Sequence, residues 1–528
     1  MSTSRGRENG LRAPNYLRGV GEAVQGLAPA LTGCEKNGII YAGSFFVRGA
    51  VISEVFDMNN VVILAGGQGK RMKTNKPKVL LEVLGEPMLE WVISACEDAG
   101  MDRVCVVKGF ECEQIDEYLS ARESKVDIRT ALQAERLGTG HAVMQAVDFL
   151  KEDTSGNTLI LCGDAPFIDA ETIRGALEHH EKSSAAVTVV TSEIDEPKGY
   201  GRILRTDNGI SGIREEKDCS DEERLIKEIN SGCYWFRTEA LLEALPELKQ
   251  NNAQGEYYLT DCIEILLSKG EKADAFMSGN EQVALGANDR KGLLALNDIA
   301  RKMVIDKWLD EGVEFVCTDG VSIGRRVTVG VGTRIDSNVK IRGKSVIGRD
   351  CRIGVGCIIE DSVIGDGVDL NYVQAYSAQV DDNAKIGPFV QLRPDSHVKK
   401  GAKIGDFVEI KNSTIGEYTA VAHLTYVGDS DVGKNVNFGC GVVTVNFDGE
   451  KKYRTTIGDN AFIGCNTNLV SPVNIGDGAY TGAGSTITKD VPAGALALER
   501  TEQKIIEGYA EKKLKARTEK FVKAHGDE

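Results

Sequence analysis

Ile323-Gly324, Val329-Gly330, Ile335-Asp336, Ile347-Gly348 and Ile353-Gly354 share one six-residue register within residues 321–491. After short slips the register returns at Ile386-Gly387, Leu392-Arg393, Val398-Lys399, Ile404-Gly405 and Ile410-Lys411. It returns again at Ile457-Gly458, Ile463-Gly464, Leu469-Val470 and Ile475-Gly476. A small or branched residue, such as Val327, Thr333, Val339, Ala402, Val408, Ala461 or Thr467, often follows four places later. A fixed short period marks a solenoid, in which each repeat buries its apolar face only against its neighbours. Six residues fit a parallel β-helix of three short strands per coil, about eighteen residues, with the aliphatic side chain turned inward at each corner. Glycine supplies the backbone angles that such corners need. A Gly-rich β-sandwich would instead alternate with period two and hold no six-residue register.

The remainder of the 528-residue chain leaves room for two or three domains. A formal net charge of −16, from 63 basic and 79 acidic residues, argues against a general nucleic-acid or acidic-membrane surface. Any phosphate ligand must therefore be met by Lys and Arg gathered locally. The 13 cysteines are scattered, with no C-x-x-C pair, so neither a disulfide scaffold nor a zinc module is expected. A reducing cytoplasm fits best. No run of about eighteen apolar residues is present, and no membrane span is expected. Residues 1–57 carry Arg5, Arg7, Arg12 and Arg18, much Gly and no period, and Glu8, Glu22 and Glu35 interrupt any transit-peptide pattern. They read as a disordered extension, with Met58 as an alternative start.

From Met58 the pattern changes. The aliphatic run Val61-Val62-Ile63-Leu64 reads as a buried strand and flows into Ala65-Gly66-Gly67-Gln68-Gly69-Lys70-Arg71-Met72, then Lys76-Pro77-Lys78. Glycines let backbone N–H groups approach a nucleotide closely, and Arg71 and Lys78 bring positive charge to the same place. The string is neither a dinucleotide-binding G-x-G-x-x-G nor a Walker A loop. A helix over Met88–Ala99 and strands over 104–107 and 159–161 imply an α/β sheet with crossover helices. Ligands on such sheets sit at the carboxyl ends of strands, where Cys162-Gly163-Asp164 stands. A carboxylate there can hold Mg²⁺, which prefers oxygen ligands and substrate phosphates.

The string L-A-G-G-x-G-x-R-M followed by K-P-K resembles the signature of sugar-1-phosphate nucleotidyltransferases, with a Rossmann-like sheet. That resemblance implies nucleotide contacts at Leu64, Ala65, Gly66, Gly67 and Lys78. Gln133-Ala134-Glu135 and Leu137-Gly138-Thr139-Gly140-His141-Ala142 resemble the uracil-reading segment of its uridylyltransferases, through Gln133, Gly138 and Thr139, with His141 structural. Gly201, Glu215 and Asn230 match segments that hold the amino-sugar. The string from Asn251 to Asp261 is nearly the family's own, and Asn288 matches its second metal-ligand position, beside Asp164. The implied reaction is an in-line attack of a sugar phosphate on the α-phosphorus of UTP, with Mg²⁺ as cofactor and Arg71 and Lys78 stabilising the developing charge.

Residues 289–310 carry Leu293, Leu296, Ile299, Met303 and Trp308 at helical spacing, which predicts a connecting helix. Beyond it, the six-residue repeats resemble the left-handed hexapeptide-repeat acyltransferases. Polar residues interrupt the coils where packing alone needs none: Arg393, Glu409, Lys411, His423, Tyr426, Asn437 and Asn446. Over residues 59–500 the chain resembles the bifunctional family that joins an N-acetylglucosamine-1-phosphate uridylyltransferase to a glucosamine-1-phosphate N-acetyltransferase. The resemblance implies His423 as general base, backbone N–H groups near Cys440 for the oxyanion, and Arg393 and Lys411 on the sugar phosphate. Tyr426 and Asn437 add hydrogen bonds and Asn446 orients the amine. The resemblance also implies that coenzyme A lies along the coils near Cys465 and Ala483, with Arg500 reaching a phosphate, and that Phe447 belongs to the same acetyl-transfer site. The family usually has Ala at 440, Tyr at 447 and Ser at 465. Cysteine is a poor hydrogen-bond partner, and Phe447 keeps the ring but loses the hydroxyl.

The expected layout is an extension over 1–57, a uridylyltransferase domain over 58–286, a linker helix over 287–315, a hexapeptide-repeat β-helix over 316–500 and a charged tail over 501–528. The expected product is UDP-N-acetylglucosamine, a precursor of cell-wall polymers, made by a cytoplasmic homotrimer from glucosamine-1-phosphate, acetyl-coenzyme A and UTP. Two other readings are a nucleotidyltransferase whose β-helix only regulates or oligomerises, and a non-catalytic subunit. The first would lack His423, Lys411 or Asn446; the second would lack Lys78, Asp164 or Arg71. All are present.

Overall fold

The structure is a computed structural model that describes residues 58–206 and 209–526, with the short antiparallel strands Phe46–Val47 and Ala50–Val51. The expectation for the rest of residues 1–57 lies outside the described residues. From residue 58 the chain first builds a nine-stranded sheet: β1 (Asn60–Ala65), β2 (Arg103–Lys108), β3 (Asp127–Leu132), β4 (Asn157–Cys162), β5 (Val187–Glu193), β6 (Arg202–Thr206), β7 (Gly209–Arg214), β8 (Glu228–Arg237) and β9 (Ala273–Met277). β1 lies between β2 and β4, parallel to both, and β3 extends the parallel set beyond β2. β8 runs antiparallel between β4 and β5, and β9 closes the far edge parallel to β5. The β6–β7 hairpin joins the start of β8 through Arg202 and Ile229.

The aliphatic run in β1 is explained by burial on both faces. Val61 and Ile63 pack with Leu89, Val92 and Ile93 of the helix Met88–Ala99 and Ile173 of the helix Ala170–Ser183. Val62 packs on the other face with Val107, Val143 and Ile160. The parallel strands β1, β2 and β4 end together, and glycines follow each of them. A Cβ on Gly109 would fall 2.8 Å from the Gly66 carbonyl oxygen, and one on Gly163 would fall 3.0 Å from that of Leu64. The chain ends are therefore drawn close enough to frame a cleft.

Asp289 caps the connecting helix Arg290–Asp310 by accepting from Gly292 N at 2.9 Å. Its inner face differs by one position from the expected stripe: Leu296, Ala300, Val304, Ile305 and Trp308 are buried, while Met303 is exposed. Leu296 and Ala300 pack with Met72 and Trp91 of the sheet half; Val304, Ile305 and Trp308 pack with Val321 and Ile323 of the first coil. One helix thus carries the apolar core from one half into the other.

Residues 314–497 form a left-handed parallel β-helix with three sheets of 11, 10 and 9 strands. Each strand pairs in parallel with the third strand after it, so a column such as Ile323, Ile341, Ile359, Ala375, Leu392, Ile410 and Val427 runs along the inside. A second bond between the halves is ionic. Glu90, buried in the first long helix, accepts from Arg122 Nε at 2.8 Å, from Tyr118 and Ser94, and from Arg326 of the β-helix. The final helix, Tyr509–His525, buries no residue against the rest of the chain.

Two candidate active sites

At the carboxyl edge of the sheet, a cleft of about 330 Å³ is lined by Leu64, Gly66, Gly67, Lys78, Gln133, Gly138, Thr139 and Asp164, among others. Lys78, buried, bonds Asp164, and its Nζ donates to Asn288 Oδ1 at 3.0 Å. Lys78 and Asn288, 210 positions apart, are thus brought into direct contact. Two hard oxygen donors converging on a cation are the set Mg²⁺ accepts when substrate phosphates complete its shell, so these residues fit the expected metal. The Cys162 thiol at the end of β4 is pushed up to about 12 by burial, with Asp164 adding to the shift. A thiol raised in this way stays neutral and is a poor nucleophile.

The base-reading segment is held rigidly. Gln133 Nε2 donates to the Gly138 carbonyl at 3.0 Å and stands 3.3 Å from His141 Nδ1, while a Cβ on Gly66 would fall 2.6 Å from Gln133 Oε1. Gly138 has φ 112°, and a Cβ there would fall 2.5 Å from the Tyr257 carbonyl oxygen, so only glycine fits. Thr139 Oγ1 accepts from Leu259 N at 3.0 Å. Gly201, Glu215 and Asn230 come together beside Cys162: the Asn230 N–H donates to the Gly201 carbonyl at 2.9 Å, and Cys162 lies 3.7 Å from the Gly232 carbonyl. A Cβ on Gly201 would stand 3.6 Å from Glu215 Oε1. Burial raises the Glu215 carboxyl, with Asp218 and Asp261 adding to it.

On the β-helix the expected residues divide between one face and one corner. Leu392 pairs with Ile410 and Lys411 with Gly428, so Arg393 and Lys411 sit on successive coils. Glu409 pairs with Tyr426 and accepts from Arg393 Nη1 at 2.9 Å. The Lys411 ammonium is lowered by the facing Lys452 ammonium, with Arg393 adding to it. Like charges gathered here, with Asp429 only partly offsetting their repulsion, mark a place for an anion. Asn446, buried, donates to Asp429 and stands 3.5 Å from the Tyr426 hydroxyl. Asp429, also buried, takes a second bond from Asn412 Nδ2 at 2.5 Å.

The corner carries one residue per coil: Asp406, His423, Cys440, Cys465 and Ala483, each preceding a left-handed corner residue. His423 is exposed and borders a groove of about 400 Å³ whose walls include Arg352, Lys385 and Lys403. Across neighbouring coils a corner N–H donates back to the preceding coil: Leu424 N to Asp406 O at 2.9 Å, Asn466 N to Cys440 O at 2.7 Å, Gly484 N to Cys465 O at 2.8 Å. Among the described residues the Gly441 N–H makes no such bond to His423. Gly441 follows Cys440, the position one coil on from His423.

The family described as Nucleotidyl transferase matches residues 60–313, and Bacterial transferase hexapeptide (six repeats) matches residues 454–489. A protein of Acetivibrio thermocellus named Bifunctional protein GlmU is 46% identical over 460 residues, covering 87% of this chain and 98% of that one. The protein of the same name from Thermoanaerobacter pseudethanolicus is 47% identical over 455 residues, covering 86% and 98%. The chain belongs to the bifunctional GlmU family. It is a two-reaction transferase of UDP-N-acetylglucosamine synthesis, acetylating glucosamine-1-phosphate and uridylylating N-acetylglucosamine-1-phosphate.

Within this family fold, several expected residues stand away from the clusters. Arg71 is exposed, outside the lining of the cleft, and approaches Asp289, whose carboxyl is lowered chiefly by the Gly292 N–H. Arg136 lines the cleft instead, donating to Gln68 Oε1 at 2.9 Å. Ala65 is buried at the end of β1. Asn437 and Phe447 are exposed, Asn437 on the strand face before the corner, and Arg500 lies beyond the last strand. Lys452 and Asp429 were not legible as site residues. Lys452 reaches Lys411 only because residues 446–454 fold out of the coil, with Phe447 bridged to Lys452 and the Tyr453 N–H donating to the Asn446 carbonyl at 2.8 Å. The one local signal was the break in the six-residue register there.

Proposed function

We propose that the acetyl-transfer reaction runs at the corner and face around His423, and that Lys78, Asp164 and Asn288 form the uridylyl-transfer centre. The observation that carries the first assignment is the close approach of the Lys411 and Lys452 ammonium groups beside the Asp429–Asn446 pair. Arg393, Lys411 and Lys452 take the sugar phosphate. Asn446 spends its amide hydrogens on Asp429 and Tyr426, so its Oδ1 is turned to accept from the substrate amine. Imidazole titrates near neutrality, so His423 suits removal of the amine proton as nitrogen attacks the thioester carbonyl. The Gly441 N–H donates to the oxyanion that forms. Collapse releases the coenzyme A thiol.

In the cleft, Gln133 and the Gly138 and Thr139 backbone read the uracil, and the Gly66-Gly67 turn admits the phosphates. Gly201, Glu215 and Asn230 hold the amino-sugar. A sugar phosphate oxygen attacks the α-phosphorus and pyrophosphate leaves. Lys78 neutralises charge on the phosphates. Mg²⁺ bound by Asp164 and Asn288 supplies further charge neutralisation to them. Arg71 joins this centre only if its turn closes over the nucleotide.

The working unit is a homotrimer. Support comes from a ladder of exposed apolar side chains, Tyr372, Phe389, Phe407 and Leu424, with ring centroids 5.1 and 5.3 Å apart, that ends next to His423. Such a stripe matches an interface. A second copy seated on it would bring Asn437 or Arg500 towards a site that one chain leaves open. No helix among the described residues is long and apolar enough to cross a membrane, in keeping with a cytoplasmic enzyme.

The deciding experiment supplies glucosamine-1-phosphate, acetyl-coenzyme A, UTP and Mg²⁺ together and then omits each in turn, with products read by mass. UDP-N-acetylglucosamine formed only with acetyl-coenzyme A supports both centres. A requirement for ready-made N-acetylglucosamine-1-phosphate overturns the acetyl assignment.

A further inference from the structure

Cys440 and Cys465 occupy neighbouring coils at the corner that also carries His423. Phe438 and Ile463 are direct partners on adjacent strands, and each cysteine lies two residues further on. Each also directly precedes a left-handed residue, Gly441 at φ 76° or Asn466 at φ 53°, so both stand at equivalent backbone turns. Hydrogen bonds of 2.7 Å, Gly439 N to Ile463 O and Asn466 N to Cys440 O, clamp the coils together on both sides of the pair. A Cβ on Gly439 would fall only 2.8 Å from Cys465 Cα. Adjacent strands run about 4.8 Å apart, inside the range of about 4.4–6.8 Å that disulfides span between Cα atoms.

Exposure singles out the same pair. Cys465 is the exposed cysteine among the described residues and Cys440 is half-buried. Burial pushes Cys96, Cys162 and Cys262 up to about 12, which keeps them inert. No packing need explains two thiols at an open corner beside a base.

We propose that Cys440 and Cys465 form a reversible disulfide that stops acetyl transfer while uridylyl transfer continues. The second half of this rests on the acetyl-site reading above. A hydroperoxide supplies the oxidising equivalents. The Cys465 thiolate attacks the peroxide oxygen; an S–O bond forms as the O–O bond breaks, giving a sulfenic acid and an alcohol or water. The Cys440 thiol then attacks that sulfur, the S–S bond forms, and hydroxide leaves as water with the thiol's proton. Two electrons pass from the two thiols to the peroxide. A dithiol reductant reverses the reaction by exchange. The bridge draws the two coils together between His423 and Ala483, where the thioester must lie, and shifts the neighbouring Gly441 N–H.

The test treats the full chain with hydrogen peroxide, maps peptides without reduction, and assays both reactions before and after dithiothreitol. The expected result is a Cys440–Cys465 cross-linked peptide, acetyl transfer lowered at least tenfold, uridylyl transfer within twofold, and recovery with dithiothreitol. Cys465→Ser and Cys440→Ala should each keep most of their own acetyl activity through the same treatment, whatever that activity is. Absence of the linked peptide overturns the proposal, as does an equal fractional loss in Cys465→Ser. If the reduced protein shows no acetyl transfer, the site reading fails instead, and the peptide map alone decides whether the disulfide forms.

Discussion

In the sheet half, Lys78 is buried and already bonded to Asp164 and Asn288, three residues drawn from distant parts of one chain. In the β-helix half, Lys411 and Lys452 face each other with Asp429 only partly offsetting the repulsion, His423 is exposed, and Asn437 and Arg500 stand apart. The first centre is assembled before any ligand arrives. The second is held open, with its charge waiting for a phosphate and its corner bare beside an apolar ladder. On the sites proposed above, preorganisation comes from chain folding in one half, and in the other it awaits substrate and the proposed assembly.

The sharpest way to break that contrast is to remove each central group and ask whether the other half notices. His423→Ala should lower acetyl transfer by about 10²–10⁴-fold, the usual worth of a general base, with uridylyl transfer within twofold. Steady-state assays of both reactions check this, and a loss in both would mean the variant is misfolded or the halves are coupled. Lys78→Met should lower uridylyl transfer by about 10²–10³-fold and spare acetyl transfer. An unchanged rate there would remove Lys78 from the centre.

A smaller effect is expected where charge waits for substrate. Lys452→Ala relieves the repulsion on Lys411 but removes one phosphate contact, so KM for glucosamine-1-phosphate should rise about tenfold or more, with less change in kcat. A fall in kcat at constant KM would place Lys452 elsewhere in the reaction.

The smallest effect is on stability. Burial, aided by Glu264, pushes the Asp261 carboxyl from 3.8 up to about 6. The folded form therefore holds this proton more tightly than the unfolded chain. The stabilisation is full below about pH 4 and is lost as pH rises through about 6. Asp261→Asn should flatten that segment of the Tm-against-pH curve. Opposed to it, Arg122 outweighs burial and holds Glu97 down at about 2, a contribution kept above about pH 4.5 and lost as pH falls towards 2. A parallel curve for Asp261→Asn would show that the carboxylate titrates normally.

What could be read from the sequence follows the range of the interactions. The six-residue register predicts the three-sided coil because each inward residue meets its equivalent one coil on, as Ile323 meets Ile341. Val61-Val62-Ile63-Leu64 and the glycines after it report a strand end locally, and the cleft is there. Contacts between distant segments leave no such signature. Glu90 and Arg326 lie 236 positions apart, and neither residue type at its own place suggests a buried ionic link between halves. Lys452 and Asp429 were hidden for a related reason: an excursion from the coil has no period to be read. Arg71 shows the converse: closeness in sequence to the glycine turn leaves its long side chain exposed outside the cleft lining, near Asp289.

The β-helix also acts as a ruler. Along one face, six coil-to-coil steps separate Ser322, beside the sheet half, from Tyr426. At about 4.8 Å a step, that is roughly 29 Å of solenoid. A sugar phosphate spans a small fraction of that length, and among the described residues the connecting helix and the Glu90 cluster tie the halves together at the near end. With the two proposed sites that far apart on one chain, the acetylated sugar is expected to leave one station before it enters the other, where any protein that takes the same molecule competes for it in transit.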